Sequence, residues 1–425
     1  MTEAFELRGG VLHCEDVPLP EIAASVGTPA YIYSSAAMRE HAHALRDALS
    51  GLGDPLIAYA VKANPNAAVI ATLGAEGLGA DIVSGGELAR ALAAGIPANK
   101  IVFSGVGKTR EEMTQALKAG ICQFNLESGA EAELLSDVAV SLGRDARVGF
   151  RVNPGVEPGT HAKISTGLAE SKFGIQASQA LAEYAQAAAH PGLTMQGIAV
   201  HIGSQLTSLA PFEQAFATVG ALIADLRAAG HDIILADLGG GLGVRYDHDA
   251  PPPPTPAEYG AMVERLTRGW SVRLVFEPGR FLVANAGVLL TEVIRVKPGA
   301  THPFVIVDAA MNDLMRPTLY DAWHAIEAVR PSGDRRTANV VGPVCETGDT
   351  FALAREMDVV GEGDLVVFRS AGAYAATMAS TYNSRPLTPE VLVERDRWAV
   401  VRPRIDVARL IDWDVVPDWL AHQIA

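Results

Sequence analysis

Eight short apolar runs alternate with alanine-rich stretches between about residues 36 and 290 of this chain. The runs are LIAYAV (56–61), GADIV (79–83), KIVFS (100–104), CQFNL (122–126), ARVGFRV (146–152), MQGIAVHI (195–202), IILADL (233–238) and RLVFE (273–277). Most are dense in Val, Ile, Leu and Phe, as strands covered on both faces are. The stretches between them, such as GELARALAAG and FEQAFATVGALIADLRAAG, read as helices. Eight strand–helix units in roughly 250 residues predict an α/β fold, a (β/α)8 TIM-type barrel. A doubly wound sheet is the alternative, but this number and spacing favour closure.

The texture changes past residue 290. GVLLTEVIRVKPG, HPFVIVDAAM, ANVVGPVCE, GDLVVFRSAGAY and DRWAVVRPR read as strands separated by turns. The early run PAYIYS (29–34) has the same character and fits the same sheet. A barrel over 36–290 is therefore predicted between two parts, 1–35 and 291–425, of a mostly β domain. PPPPTP (251–256) reads as a stiff extended loop.

A length of 425 residues agrees with two domains. A net charge of −15 argues against a nucleic-acid groove or a polybasic membrane surface. Three cysteines, Cys14, Cys122 and Cys345, are too few and too odd for a disulfide framework, so reducing cytoplasm is expected. The sequence has no apolar run of signal-peptide or membrane-span length, and a soluble protein is expected.

In a parallel barrel the active site lies at the carboxyl ends of the strands, and several runs end in reactive groups. Lys62 follows LIAYAV, where partial burial would make its amine a nucleophile suited to a Schiff base. A lysine snorkelling from the rim or bracing a carboxylate is the alternative. Gly239, Gly240 and Gly241 follow IILADL directly, and consecutive glycines can form a backbone nest for phosphate or simply a tight turn. His201 can stack on a flat ring with Ser204 donating to a phosphate, or be an ordinary core histidine. No second histidine stands at ligand spacing, so no metal is expected. Glu277, in FEPGR, can keep a pyridine nitrogen protonated, and Arg280 can grip a carboxylate or phosphate; a surface ion pair is the bland alternative. Cys345 can donate a proton or be a small buried hydrophobe. Together the strand ends suggest an enzyme holding a phosphorylated aldehyde cofactor.

Seven segments carry a resemblance: AYAVKAN, HIGSQ, DLGGGLG, EPGR, DAAMNDLMRPTLYDAWH, GPVCETGD and AGAYAATMASTYNSRP. In this order, over nearly the whole chain, they are similar to the motifs of the fold type III pyridoxal-phosphate decarboxylases, and within them to the diaminopimelate decarboxylase family. TGLAESKFGI (166–175) resembles the segment that helps set substrate choice there.

The resemblance implies pyridoxal 5'-phosphate as cofactor, with Lys62 bonded to its aldehyde and His201 stacked on its ring. Ser204, Gly239, Gly240 and Gly241 would hold the phosphate with the loop Glu277, Pro278, Gly279 and Arg280, and Glu277 would also meet the ring nitrogen. Arg280, Arg316 and Tyr320 would bind the far carboxylate of the amino-acid substrate, Glu346 its distal amine, and Tyr374 both cofactor and substrate. Cys345 would protonate the carbanion left by carbon dioxide. Cys345 and Glu346 would come from the partner of a two-fold homodimer with active sites at its interface. Ala375 departs from the pattern, which more often has glycine there. The expected reaction is decarboxylation of meso-2,6-diaminopimelate to L-lysine, because two arginines and a tyrosine suit a substrate with a far carboxylate. Decarboxylases of ornithine, arginine or carboxynorspermidine are the near rivals, and a racemase or a non-catalytic carrier of the cofactor the distant ones.

Overall fold

The computed structural model describes residues 4–157, 171–247 and 249–421. It divides into two compact units, one spanning Ser35–Asn285 and one joining the chain up to Ser34 with the residues from Ala286 onward.

The first unit holds eight parallel strands: β1 (Leu56–Ala60), β2 (Gly79–Ile82), β3 (Ile101–Phe103), β4 (Gln123–Leu126), β5 (Ala146–Asn153), β6 (Leu193–Ala199), β7 (Leu235–Asp237) and β8 (Arg273–Phe276). Each pairs with the next, and β8 returns to β1 through Val275–Leu56 and Phe276–Ile57, so the barrel is closed. A further two-residue strand, Ile175–Gln176, pairs beside β5.

Local signals set the helices between strands. Thr109 and Glu112 form a reciprocal capping box that starts the helix Arg110–Ala119, and left-handed Gly120 (φ 76°) ends it. Thr255 and Glu258 do the same for Pro256–Thr267, with Pro256 in the first turn. The proline run thus finishes as a helix start, where the sequence suggests an extended loop throughout.

The strands stop one to three residues before several of the apolar runs do. The backbone past the strand ends still bonds to neighbouring loops: Ala60 N donates to Pro278 O (3.1 Å), Val200 N to Asp237 O (2.8 Å) and Glu277 N to Gly239 O (2.8 Å). Residues such as Val61, Val200 and Leu238 are therefore buried without being strand. Lys62 consequently sits in a short 3-10 turn, Val61–Ala63, and His201 two residues past β6.

The second unit is a mostly antiparallel sheet. Its order is Thr350–Asp358, Arg335–Val341, Phe304–Val307, Gly287–Lys297, Ala30–Ser34, Glu390–Glu394 and Arg397–Arg402, with Leu365–Phe368 branching from Gly287–Lys297. Ala30–Ser34 lies inside this sheet, and Ile32 packs with Val288, Leu290, Val367, Val391 and Val393 in its core. Among the described residues no helix is long and apolar enough to cross a membrane, and no group of three His, Cys, Asp or Glu could hold a metal ion.

Candidate active site

The carboxyl ends of the barrel strands carry polar residues that the folding of a buried strand end would otherwise disfavour. Asp81 lies in β2, Asn125 in β4 and Asp237 closes β7, while Lys62, Ser104 and Glu277 follow β1, β3 and β8. Ser104, Asn125, Asp237 and Glu277 form one hydrogen-bonded network, with the Lys62–Asp81 pair beside it. The Lys62 ammonium donates to Asp81 Oδ2, and Asp81 Oδ1 is buried without a partner among the described residues. Ser104 Oγ donates to Glu277 Oε1 at 3.0 Å. Asn125 Nδ2 donates to Ser104 Oγ (3.1 Å) and to Asp237 Oδ2 (2.8 Å), and its Oδ1 accepts from Gln123 Nε2 (2.9 Å). Gly239 N donates to Asp237 Oδ1 at 2.9 Å, and the Asp237 and Glu277 carboxyls share a hydrogen bond.

Asp81, Asp237 and Glu277 are all buried. Burial pushes the Glu277 carboxyl well above the usual carboxylate range; the negative Asp237 and Asp81 push it further, and Lys62 only partly opposes them. Asp237 is also raised by burial, but the Gly239 amide, Asn125 and the Glu277 hydrogen bond limit the rise to about 6. Asp237 is thus the stronger acid and Glu277 the group that holds a proton at neutral pH.

His201 stands beside this network. Its Nδ1 accepts the Gly240 backbone N–H at 3.1 Å. Burial first, then the cations Arg151 and Lys62, hold its pKa well below the ordinary histidine value, so the ring is neutral. Arg151, from β5, donates to the His201 carbonyl (3.1 Å) and pairs with Glu127 (3.3 Å). Glu127 in turn accepts from Gly105 N (3.2 Å) and Gly174 N (2.6 Å).

Arg280 is buried and donates through Nε and Nη2 to Ser204 Oγ (3.3 and 3.0 Å) and through Nη1 to the Tyr246 hydroxyl (2.5 Å). The glycines here are required by close approach. A side chain on Gly239 would overlap the Val200 carbonyl, and one on Gly240 the Glu277 carbonyl. Gly241, at φ 117°, takes a conformation that suits glycine. Pro278 accepts from Ala60 N, and Gly279 packs against Ala60 and Ala63, so the EPG loop braces both sides of Lys62.

The other expected site residues lie in the second unit. Arg316 is buried at the start of the helix Arg316–Tyr320 and contacts His324 Nε2 at 2.8 Å; His324 Nδ1 contacts the Arg369 carbonyl at 2.7 Å. Tyr320 is half-buried at the end of the same helix. Cys345 is exposed, which sets aside its reading as a buried hydrophobe. Glu346 beside it accepts from the Tyr382 hydroxyl at 2.9 Å. Their turn wraps the Asp349 carboxylate, which accepts from Met311 N (2.6 Å) and Val344 N (2.7 Å). Tyr374 is half-buried and takes a left-handed φ of 54°, whereas Ala375 has φ −117°, so its methyl carries no backbone strain.

Lys62, His201, Ser204, Gly239, Gly240, Gly241, Glu277, Pro278, Gly279 and Arg280 therefore share the carboxyl end of one barrel. Of TGLAESKFGI, residues 166–170 lie outside the described residues; in the remainder Arg151 lies 4.6 Å over the Phe173 ring. Sequence reasoning missed Asp81, Ser104, Asn125, Asp237, Arg151, Glu127 and Tyr246. For three of them a signal was present: Asp81 and Asp237 are single polar residues near the ends of apolar runs, and Asn125 is one of two in CQFNL, where an unpartnered side chain is costly.

The family model for the pyridoxal-binding domain of pyridoxal-dependent decarboxylases matches residues 35–284. A diaminopimelate decarboxylase of Zymomonas mobilis is 56% identical over 98% of this chain and 99% of its own. Among solved structures, the diaminopimelate decarboxylase of M. jannaschii superposes with a TM-score of 0.94 at 35% identity, covering 98% of this chain and 99% of that one. The Helicobacter pylori enzyme complexed with L-lysine gives a TM-score of 0.89 at 39% identity, covering 93% and 98%. With a matching domain model, full-length relatives and a closed barrel gathering lysine, histidine, glutamate and arginine at one end, this chain belongs to the diaminopimelate decarboxylase family of pyridoxal-dependent decarboxylases.

Proposed function

We propose that this chain decarboxylates meso-2,6-diaminopimelate to L-lysine with pyridoxal 5'-phosphate as cofactor. The observation that carries the reading is the donor set at the barrel end. An amine (Lys62), a buried acid (Glu277), a neutral flat ring (His201) and a buried guanidinium with a hydroxyl (Arg280, Ser204) match an aldehyde, a pyridine nitrogen, a ring face and a phosphate. The residues present fit the cofactor.

When bound, the cofactor supplies an electron sink for the pair of electrons left when carbon dioxide departs. Lys62 would hold the cofactor's aldehyde, and Asp81, which accepts from the Lys62 ammonium, would keep that side chain in place. Glu277 would keep the ring nitrogen protonated. His201 would face the ring, and Ser204, Arg280 and the Gly239–Gly241 loop would hold the phosphate. Arg316 and Tyr320, with Arg280, take the substrate's far carboxylate; an ornithine-like chain would set a cation there instead, at a penalty of several kcal/mol. Glu346 receives the distal amine, Tyr374 contacts cofactor and substrate, and Cys345 returns a proton to the α-carbon. The barrel would be the unit 36–290 and the β-rich unit would complete the site of a partner subunit, in a two-fold homodimer.

Carbon dioxide release from meso-diaminopimelate, ornithine, arginine and carboxynorspermidine tests the reaction. Release from diaminopimelate alone, with lysine formed, is expected; release only from another amine would overturn the substrate. Mixing Lys62→Ala with Cys345→Ala subunits tests the shared site. Recovery of roughly a quarter of wild-type sites is expected from a two-fold assembly, and no recovery despite subunit exchange would place both residues in one chain's site.

A further inference from the structure

Asp81, Asp237 and Glu277 are three buried carboxyls at one barrel end, and the nearby cation Lys62 is paired with Asp81. Three negative charges beside one positive charge is an unfavourable sum in a site shielded from water. The hydrogen bonds show where the imbalance is relieved. Asp237 accepts from Asn125 and from the Gly239 amide, two donors that favour its ionised form. Asn125 cannot reverse this arrangement without breaking its bond from Gln123, because its Oδ1 is already an acceptor there. Glu277 accepts the Ser104 hydroxyl on Oε1, and its remaining contact is the carboxylate of Asp237. A bond between two carboxyls requires a proton, and the donors around Asp237 assign that proton to Glu277.

We propose that Asp237 is a positioning residue that keeps a proton on Glu277 before the cofactor arrives, so that the ring nitrogen receives its proton from the protein rather than from solvent. This rests on the cofactor reading above. The step balances: the O–H bond of Glu277 breaks, an N–H bond forms at the ring nitrogen, and Glu277 is left ionised against the charge it has created. Asp237, still bonded to Asn125 and Gly239, stays ionised throughout. The other ionisable groups acting on the pair are Asp81, Lys62, the Cys122 thiol and, on the side of the helix Pro256–Thr267, the Tyr259 phenol; burial and Asp237 raise the Tyr259 pKa, and burial raises that of Cys122. Glu87, near Asp81, is raised by burial to about 7.

Infrared difference spectroscopy on the full-length chain stripped of cofactor reads the proton directly. At about pH 8.5 Glu87 is ionised, and the wild type is expected to show the C=O stretch of one buried carboxylic acid, absent in Glu277→Gln. Adding pyridoxal phosphate removes that band and produces a carboxylate band. Asp237→Asn keeps the burial and the Asp81 charge but loses the facing carboxylate, so its acid band is expected to disappear at a lower pH than in wild type, with more proton taken up on cofactor binding by calorimetry in two buffers; a band that titrates as in wild type would overturn the role of Asp237. A wild-type chain with no acid band, or one whose band survives cofactor binding, overturns the proposal. Failure of pyridoxal phosphate to bind, seen as no change in its absorbance, overturns the functional reading instead. Loss of decarboxylation with the infrared changes intact would leave the proton assignment standing and sink only the proposed reaction.

Discussion

His201 Nδ1 accepts the backbone N–H of Gly240 at 3.1 Å, which leaves the proton of the neutral ring on Nε2. The same contact explains why a nearby pair of cations is tolerated: the ring presents a lone pair to an amide and no charge to Arg151 or Lys62. Nitrogen-15 NMR of the histidine rings is expected to show His201 as the Nε2–H tautomer, still unprotonated at a pH where an ordinary exposed histidine is already cationic. A ring that titrates near 6.5 would contradict the burial and charge argument.

The buried acid pair sets a pH dependence of stability. Asp237 and Glu277 both have pKa values raised by burial, so between the ordinary carboxylate range and the raised value the folded chain holds protons that the unfolded chain releases. Stability of the cofactor-free chain therefore falls as pH rises through this window. For Asp237 alone, raised from 3.8 to about 6, the loss is on the order of 2–3 kcal/mol. Thermal unfolding from about pH 4 to 8 should show this fall in the wild type and a flatter profile in Glu277→Gln.

Arg280 holds Ser204 with two nitrogens and Tyr246 with a third. A lysine keeps the charge and loses the fork. Arg280→Lys is expected to weaken pyridoxal phosphate binding by about 1–3 kcal/mol, roughly ten- to a hundredfold in Kd, by titration of cofactor absorbance. Tyr246→Phe removes one contact and should cost roughly two- to tenfold in Kd.

Glu127 ties the loops at Gly105 and Gly174 to Arg151 of β5. Glu127→Ala leaves Arg151 buried without that carboxylate, and a loss of about 3–5 kcal/mol is expected in denaturant unfolding. Glu127→Gln keeps one acceptor oxygen and should lose less. Equal losses in the two variants would show that the charge, and not the pair of acceptors, is what the loops require.

The barrel was legible because its cause is local and repeated: eight apolar runs alternating with helical stretches admit few parallel architectures. Lys62, Glu277 and Arg280 stood out because charged residues ending apolar runs are conspicuous. Asp237 and Asn125 were less visible, since an isolated polar side chain inside an apolar run such as IILADL, or one of two in CQFNL, reads as a blemish until the pair, 112 residues apart in sequence, is seen bonded. The glycine loop was visible as a nest for phosphate, but its tightest constraints are the Val200 and Glu277 carbonyls pressed against it, which only the closed barrel creates. Likewise the end of the proline run is a helix cap because Glu258 reaches back to Thr255, a pairing that composition alone does not announce.

The strand Ala30–Ser34 pairs with Gly287–Leu290 on one edge and with Glu390–Val393 on the other. During synthesis it leaves the ribosome early and waits for partners made hundreds of residues later, while the barrel has everything it needs once Phe276 has emerged. All five of its residues are buried in the finished sheet, so for most of translation an apolar strand with two open edges is on offer to any other chain. Nascent-chain crowding and slow elongation should therefore harm this protein through its first 34 residues, and a chaperone that shields them would do more for its yield than one that acts on the barrel.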